Sequence, residues 1–202
     1  MRRIPLPLKV VLTALLGLWA VVYWRGYGPA NFLWFCDLAN FLIVVALWTE
    51  SPLLLSSQAV SVLLAQTAWC LDVASRLLTG SHWIGSTSYV FDPALPLGLR
   101  AASLFHVGVP PLVLWALSRI GYDRRGWLLQ TGLAWVVLPA SHLVAPDRNV
   151  NFVHGPFGGP QTVLDPLVYL LALMVGYPLV LYLPGHLLLR SLVPAAPRAT
   201  RS

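Results

Sequence analysis

Six apolar stretches of membrane-spanning length, each closed by proline, glycine or a charged turn, run through this chain of 202 residues. A helix needs about 20 mainly apolar residues to cross the hydrocarbon core of a bilayer. The stretches cover 7–23, 32–49, 52–78, 97–120, 127–144 and 167–190. With short connections they occupy nearly everything, so a single transmembrane domain over 1–193 is expected, followed by a disordered cytoplasmic tail at 194–202. Charged residues make up 10% of the sequence, against about 25% in a typical soluble domain. So few charges cannot cover a globular surface facing water, and lipid must be the solvent for much of the molecule. The expected fold class is therefore all-α, a polytopic bundle of six transmembrane helices.

The breaks between stretches support these limits. Gly26-Tyr27-Gly28-Pro29 ends the first, and Gly121 to Gly126 separates the fourth from the fifth. Glu50-Ser51-Pro52 makes a tight turn with proline at the start of the third helix, where its missing N–H costs nothing. Pro110-Pro111 is expected to kink the fourth helix, and Pro178 and Pro184 the sixth. The start of the chain, Arg2, Arg3 and Lys9 before Val10–Val22, has the charged and apolar parts of a signal peptide. It continues into Tyr23-Trp24-Arg25 rather than a small-residue cleavage site, so an uncleaved first helix is expected.

Alternate connections carry unequal positive charge. Arg2, Arg3, Lys9, Arg119, Arg124, Arg125, Arg190, Arg198 and Arg201 fall on one side; Arg25, Arg76, Arg100 and Arg148 fall on the other. Nine against four places both termini in the cytoplasm. The net charge of +6 then belongs to loops that set orientation and touch anionic head groups. Nucleic acid is not an expected partner, because no basic run with interleaved aromatics lies outside the spans; membrane lipids are. Cys36 and Cys70 lie inside apolar segments and do not form a disulfide framework. No cofactor is implied.

Ionisable and polar groups inside spans are expensive and mark functional candidates. In the expected topology Cys36, Asp37 and Asn40 lie in the outer half of the second helix, and Gln66, Trp69 and Asp72 near the outer end of the third. Ser103 and His106 open the fourth, Ser141 and His142 close the fifth, and the last outer connection adds Asn151, His154 and Asp165. The inner halves of these helices are expected to be dry by comparison. Cys36, Asp37 and Asn40 share a broad face at i,i+3 and i,i+4 spacing, as do Trp69 and Asp72. Structural alternatives stand beside each candidate. Asp72 suits an ion pair with Arg76 or Arg100, Asp37 a hydrogen-bonded role with Trp or Asn in helix packing, His106 a packing role and His142 an interfacial one. The run Gly155-Pro156-Phe157-Gly158-Gly159-Pro160 cannot be helical and forms a structured loop of lid-like placement.

Tyr27-Gly-Pro-Ala-Asn-Phe-Leu-Trp-Phe-Cys-Asp-Leu38 resembles the second-helix segment of the androgen-induced hydrolases, membrane enzymes that cleave fatty acid esters of hydroxy fatty acids. Leu104-Phe-His106-Val-Gly108 resembles the segment holding their catalytic histidine. The chain also resembles the bacterial YwaF-like integral membrane proteins, in Cys36-Asp-Leu-Ala39 and in Asn151-Phe-Val followed by Gly159-Pro-Gln-Thr-Val-Leu-Asp165-Pro. Order and spacing correspond from about Tyr27 to Leu189. The resemblance implies a six-helix membrane protein, a bacterial cytoplasmic membrane, and a catalytic set of Cys36, His106 and Asp37. Where the hydrolases carry a nucleophilic threonine this chain has Trp34, so the enzymatic reading requires Cys36 to replace it.

The leading expectation is a lipid-ester hydrolase or acyltransferase. A thiol activated by imidazole is a competent nucleophile, Asp37 would orient His106, and Asn40 would serve the oxyanion. Asn40, Trp69, Asp72, His142 and Asn151 would line the substrate site. The alternatives are a non-catalytic assembly or lipid-binding protein, a small transporter or proton relay, and a metal site formed by Asp37, Asp72, His106 and His142.

Overall fold

In the computed structural model, which describes residues 3–156 and 159–196, every regular element is a helix. Helix α1 spans Leu6–Tyr27, α2 Phe35–Thr49 and α3 Pro52–Thr79. A short α4, Leu97–Ala102, leads into α5, Phe105–Ile120. Helix α6 runs over Gly126–Val144. The last rod is α7, Pro166–Gly176, then a π-helical segment Tyr177–Tyr182, then α8, Leu183–Leu192. Five of these rods are long and apolar enough to cross a membrane; α2, with 15 residues, is a shorter apolar helix. Its expected first turn is instead a 3-10 helix, Pro29–Leu33.

Helix α3 is the hub, packed against α2, α5, α6 and α8. Its limits follow from local chemistry. The Ser51 hydroxyl accepts from the Leu54 N–H at 3.3 Å, Pro52 follows, and Gly80 stops the helix in the left-handed region. Of its apolar stretch 61% is buried, against 6% for α1, which lies at the edge against α2 and α4. Close approach decides the α3–α6 contact. A Cβ on Gly126 would meet the Ser56 side chain at 2.6 Å and the Ser57 nitrogen at 2.8 Å, so a small residue is required there.

Prolines leave carbonyls without their i+4 donors, and side chains from neighbouring helices supply replacements. Pro110 frees the His106 carbonyl, which accepts from the Cys70 thiol at 3.6 Å. Pro178 frees the Met174 carbonyl, which accepts from the Trp135 indole at 2.9 Å. Helix α5 thus continues through Pro110-Pro111. A separate break in this rod lies at Ser103-Leu104, between α4 and α5. The π-helical turn begins beside Pro178.

One end of the bundle gathers the start of α1, the α2–α3 turn, the α5–α6 connection and the end of α8. Glu50 accepts from Lys9 Nζ at 2.8 Å and from the Ile4 N–H at 3.2 Å. The Asp123 N–H donates to Ser56 Oγ at 2.9 Å. Tyr122 exchanges backbone hydrogen bonds with Pro194 and Ala196, so this part of the expected tail is held in place. Residues 197–202 lie outside the described residues.

Candidate functional site

The opposite end carries the candidates named from the sequence except Gln66, most of them in two neighbouring constellations. The first is built on the N-terminal turn of α2. Asp37 is buried; its carboxylate accepts from Asn31 Nδ2 at 2.6 Å and from the Cys36 thiol at 3.7 Å. Tyr23 of α1 donates to Ser103 Oγ at 3.1 Å and lies near Cys36, Asp37 and Tyr89. Tyr89, on the short helix Ser88–Phe91, accepts from the Trp69 indole at 3.1 Å and sits against Ser103 and near Cys36. Burial raises the Tyr89 phenol above its usual range and keeps it a neutral hydrogen-bonding group.

His106 stands at the edge of this cluster. Its ring stacks on Trp69, with centroids 4.5 Å apart and planes 11° apart. Its Nδ1 lies 2.7 Å from the Ser103 carbonyl oxygen. A carbonyl only accepts, so Nδ1 carries the proton and Nε2 holds a lone pair. Among the described residues nothing engages that Nε2. The imidazole is buried, while its chain neighbours Leu104 and Val107 are exposed.

Sequence reasoning joined Cys36, His106 and Asp37 into one catalytic set. Their neighbourhood is shared, but their bonds are not. Among the described residues no hydrogen bond links Cys36 to His106 or Asp37 to His106; the thiol points to Asp37, and Asp37 is held by Asn31. Asn40 is half-buried and makes no side-chain hydrogen bond among the described residues.

The second constellation organises loops. Asp72 is fully buried and accepts from the N–H groups of Ile84, Gly85 and Thr87 and from the Thr87 hydroxyl, at 2.6–3.2 Å, with His82 Nδ1 at 3.4 Å. Neither expected arginine pairs with it. Arg76 lies over the Phe91 ring and Arg100 donates to the Val90 carbonyl. Asn151 is a pin as well. Its Oδ1 accepts from the Phe35 N–H at 3.0 Å, and its Nδ2 donates to the Leu33 carbonyl at 2.8 Å and to Ser141 at 3.1 Å. It therefore caps α2 from a distant loop. Asp165 caps α7 through the Leu167 and Val168 N–H groups. His142 faces His154, with ring centroids 4.8 Å apart. An open cleft of about 180 Å³ lies beside this layer, between Tyr27, Pro29, Ala30 and the Val144–Arg148 segment, and Arg148 closes it by donating to the Tyr27 carbonyl.

Two expectations require correction. Among the described residues no three or more His, Cys, Asp or Glu side chains gather as metal ligands. The four-residue metal site therefore does not form: Asp72 is enclosed by the N–H groups of residues 84–87 and His142 faces His154. The helix halves expected to be dry also carry polar groups. At the Asp123 end, Gln130 Nε2 donates to Ser61 at 3.1 Å and to Tyr182 at 3.4 Å, and its Oε1 accepts from Gln58 at 3.5 Å. Tyr122 and His186 Nδ1 are 2.8 Å apart. Between the two ends, Gln66 is buried with both amide heteroatoms unpartnered among the described residues. The polarity of Ser56, Ser57, Gln58 and Ser61 was visible as an uncharged run opening α3. Comparison with protein-family models, with curated proteins and with solved structures finds no match to this chain.

Proposed function

We propose that the chain is a multi-pass integral membrane protein with six spans and both termini in the cytoplasm, the helix Phe35–Thr49 and its preceding turn forming the sixth span. In this reading the Asp37–His106 cluster lies in the outer leaflet and holds the polar part of a lipid. The single observation that carries it is the state of His106, buried against Trp69 with Nδ1 committed to Ser103 and the Nε2 lone pair without a partner among the described residues. A lipid hydroxyl entering sideways would donate to that nitrogen. The aromatic groups Trp69, Tyr23 and Tyr89 supply the walls, and the unpartnered amide of Asn40 adds a second polar contact. A bacterial cytoplasmic membrane belongs to the same proposal.

A second reading, lipid-ester hydrolysis or acyl transfer, is favoured by the position of Tyr89, which adjoins Cys36 and accepts from the indole stacked on His106. Catalysis requires the Cys36 thiol to leave Asp37 and reach His106 on substrate entry. Native mass spectrometry of the detergent-extracted protein tests the proposal. Wild type retains a lipid, His106→Gln loses it, and retention by His106→Gln overturns the assignment. An electrophilic lipid probe separates the readings. Labelling at Cys36 that falls by about 10²–10⁴-fold in His106→Gln marks a general base. Absence of labelling leaves binding alone.

A further inference from the structure

The loop between α6 and α7 is held in a conformation that costs free energy, and the cost is spent around one histidine. Asn151 and Phe152 are consecutive non-glycine residues in the left-handed region, with φ of 53° and 60°. Such residues persist only where their surroundings over-determine them, and they concentrate at functional sites. The surroundings do so here. Asn151 is pinned to Leu33, Phe35 and Ser141, and its own carbonyl accepts from the Tyr177 hydroxyl at 3.0 Å. Two residues before Asn151, the Asn149 side chain clamps the His154–Gly155 segment. Its Oδ1 accepts from the His154 N–H at 2.8 Å and its Nδ2 donates to the Gly155 carbonyl at 2.6 Å. The His154 carbonyl in turn accepts from the Gln161 N–H at 3.0 Å. The His154 backbone is therefore fixed by hydrogen bonds from both directions.

This rigid frame sets the His154 ring against His142 on the last turn of α6, centroids 4.8 Å apart and planes 32° apart. His142 Nδ1 and His154 Nε2 are both buried and both without a hydrogen-bond partner among the described residues. A buried polar atom left unpaired is costly, and two such atoms on adjacent rings share the same deficit. Arg148, the nearest cation along the loop, is turned away to the Tyr27 carbonyl.

We propose that His142 and His154 bind one divalent transition-metal ion of the imidazole-preferring class, Zn²⁺ or Cu²⁺. Imidazole nitrogens hold such ions at about 2.0–2.1 Å. The remaining coordination positions go to water. The ion bolts the 145–165 connection to α6, and it does so whether or not the Asp37–His106 cluster holds a lipid.

The test uses the full chain in detergent, purified without a histidine tag, stripped with chelator and dialysed against micromolar Zn²⁺ or Cu²⁺. Bound metal is counted by mass spectrometry, and thermal unfolding is followed with and without the ion. Wild type takes up one ion per chain and melts at a higher temperature with it. His142→Gln and His154→Gln each weaken binding by more than about tenfold and lose the metal-dependent shift. Their metal-free melting stays close to wild type, which shows that they fold. His82→Asn, in the other long connection, keeps wild-type binding. A wild type that takes up neither ion overturns the proposal. Binding that survives in either glutamine variant overturns it equally, because a shared ion needs both rings.

Discussion

At the Asp37 end of the bundle, buried polarity comes from two carboxylates and an imidazole, each tied to a turn or a loop. At the Gln130 end the network that joins the helix faces is made of neutral amides and hydroxyls, with the Tyr122–His186 pair and the Lys9–Glu50 tie beside it. The difference is one of desolvation. A buried carboxylate loses far more hydration than an amide and survives only when several donors converge on it. Backbone N–H groups within helices are already used, so convergent donors must come from irregular chain. The connection at 80–96 supplies them to Asp72, and the short turn before α2 supplies Asn31 to Asp37. Neutral groups need one or two partners each, which facing helices provide directly. The first end therefore builds shape outside the helices, and the second locks the helices together.

The sharpest way to break this contrast is to remove a carboxylate. Asp72→Leu leaves the Ile84, Gly85 and Thr87 N–H groups and the Thr87 hydroxyl without their acceptor, at about 1–3 kcal/mol for each buried donor. The protein should fail to accumulate in a monodisperse, folded form on size-exclusion chromatography. Asp72→Asn retains one acceptor oxygen and should give an intermediate yield. A melting curve for Asp72→Leu that overlays wild type would contradict the loop-organising role.

The neutral end should respond less. Gln130→Leu removes bonds to Ser61, Gln58 and Tyr182. Side-chain hydrogen bonds between membrane helices average about 0.6 kcal/mol each and reach about 1.7. A fall in melting temperature clearly smaller than that of Asp72→Asn is expected. The reverse ranking would show that the neutral network, and not the carboxylates, dominates.

The smallest effect belongs to the partly solvated tie at that same end. Lys9 donating to Glu50 holds the carboxyl below its usual value of 4.5. A carboxyl with a depressed folded pKa contributes stability that is complete above the unfolded value. That contribution disappears as pH falls through the folded one. The pair is partly solvated, so about 0.2–1 kcal/mol is at stake. Thermal melts of wild type should decline below pH 4.5 by slightly more than those of Glu50→Gln, and parallel declines would remove the pair from the account.

What the sequence disclosed follows the same division. Helix limits were legible because hydropathy, Pro52, Gly80 and Pro166 are local signals. The candidate layer was legible because Asp37, Asp72 and His106 are conspicuous in apolar runs. Their partners were not. Asp72 bonds to backbone amides, which every residue carries, so nothing in Arg76 or Arg100 showed that neither would be chosen. The Gln130 network escaped notice because serine and glutamine scarcely alter a hydropathy average. Cys70 was readable in principle: Pro110 announces a free carbonyl at position 106, and a donor on the neighbouring helix is required. The approach of His154 to His142 depends on two left-handed residues that no local pattern at Asn151-Phe152 specifies.

The central claim is that these two polar ends face opposite sides of one membrane, the Asp72 loop outside and the Asp123 turn inside. Single cysteines at the exposed positions Ser81 and Arg124, in a background of Cys36→Ala and Cys70→Ala, measure it with a membrane-impermeant thiol reagent on intact cells. Ser81→Cys should label without permeabilisation and Arg124→Cys only after it. Labelling of both positions from the same side would contradict the account.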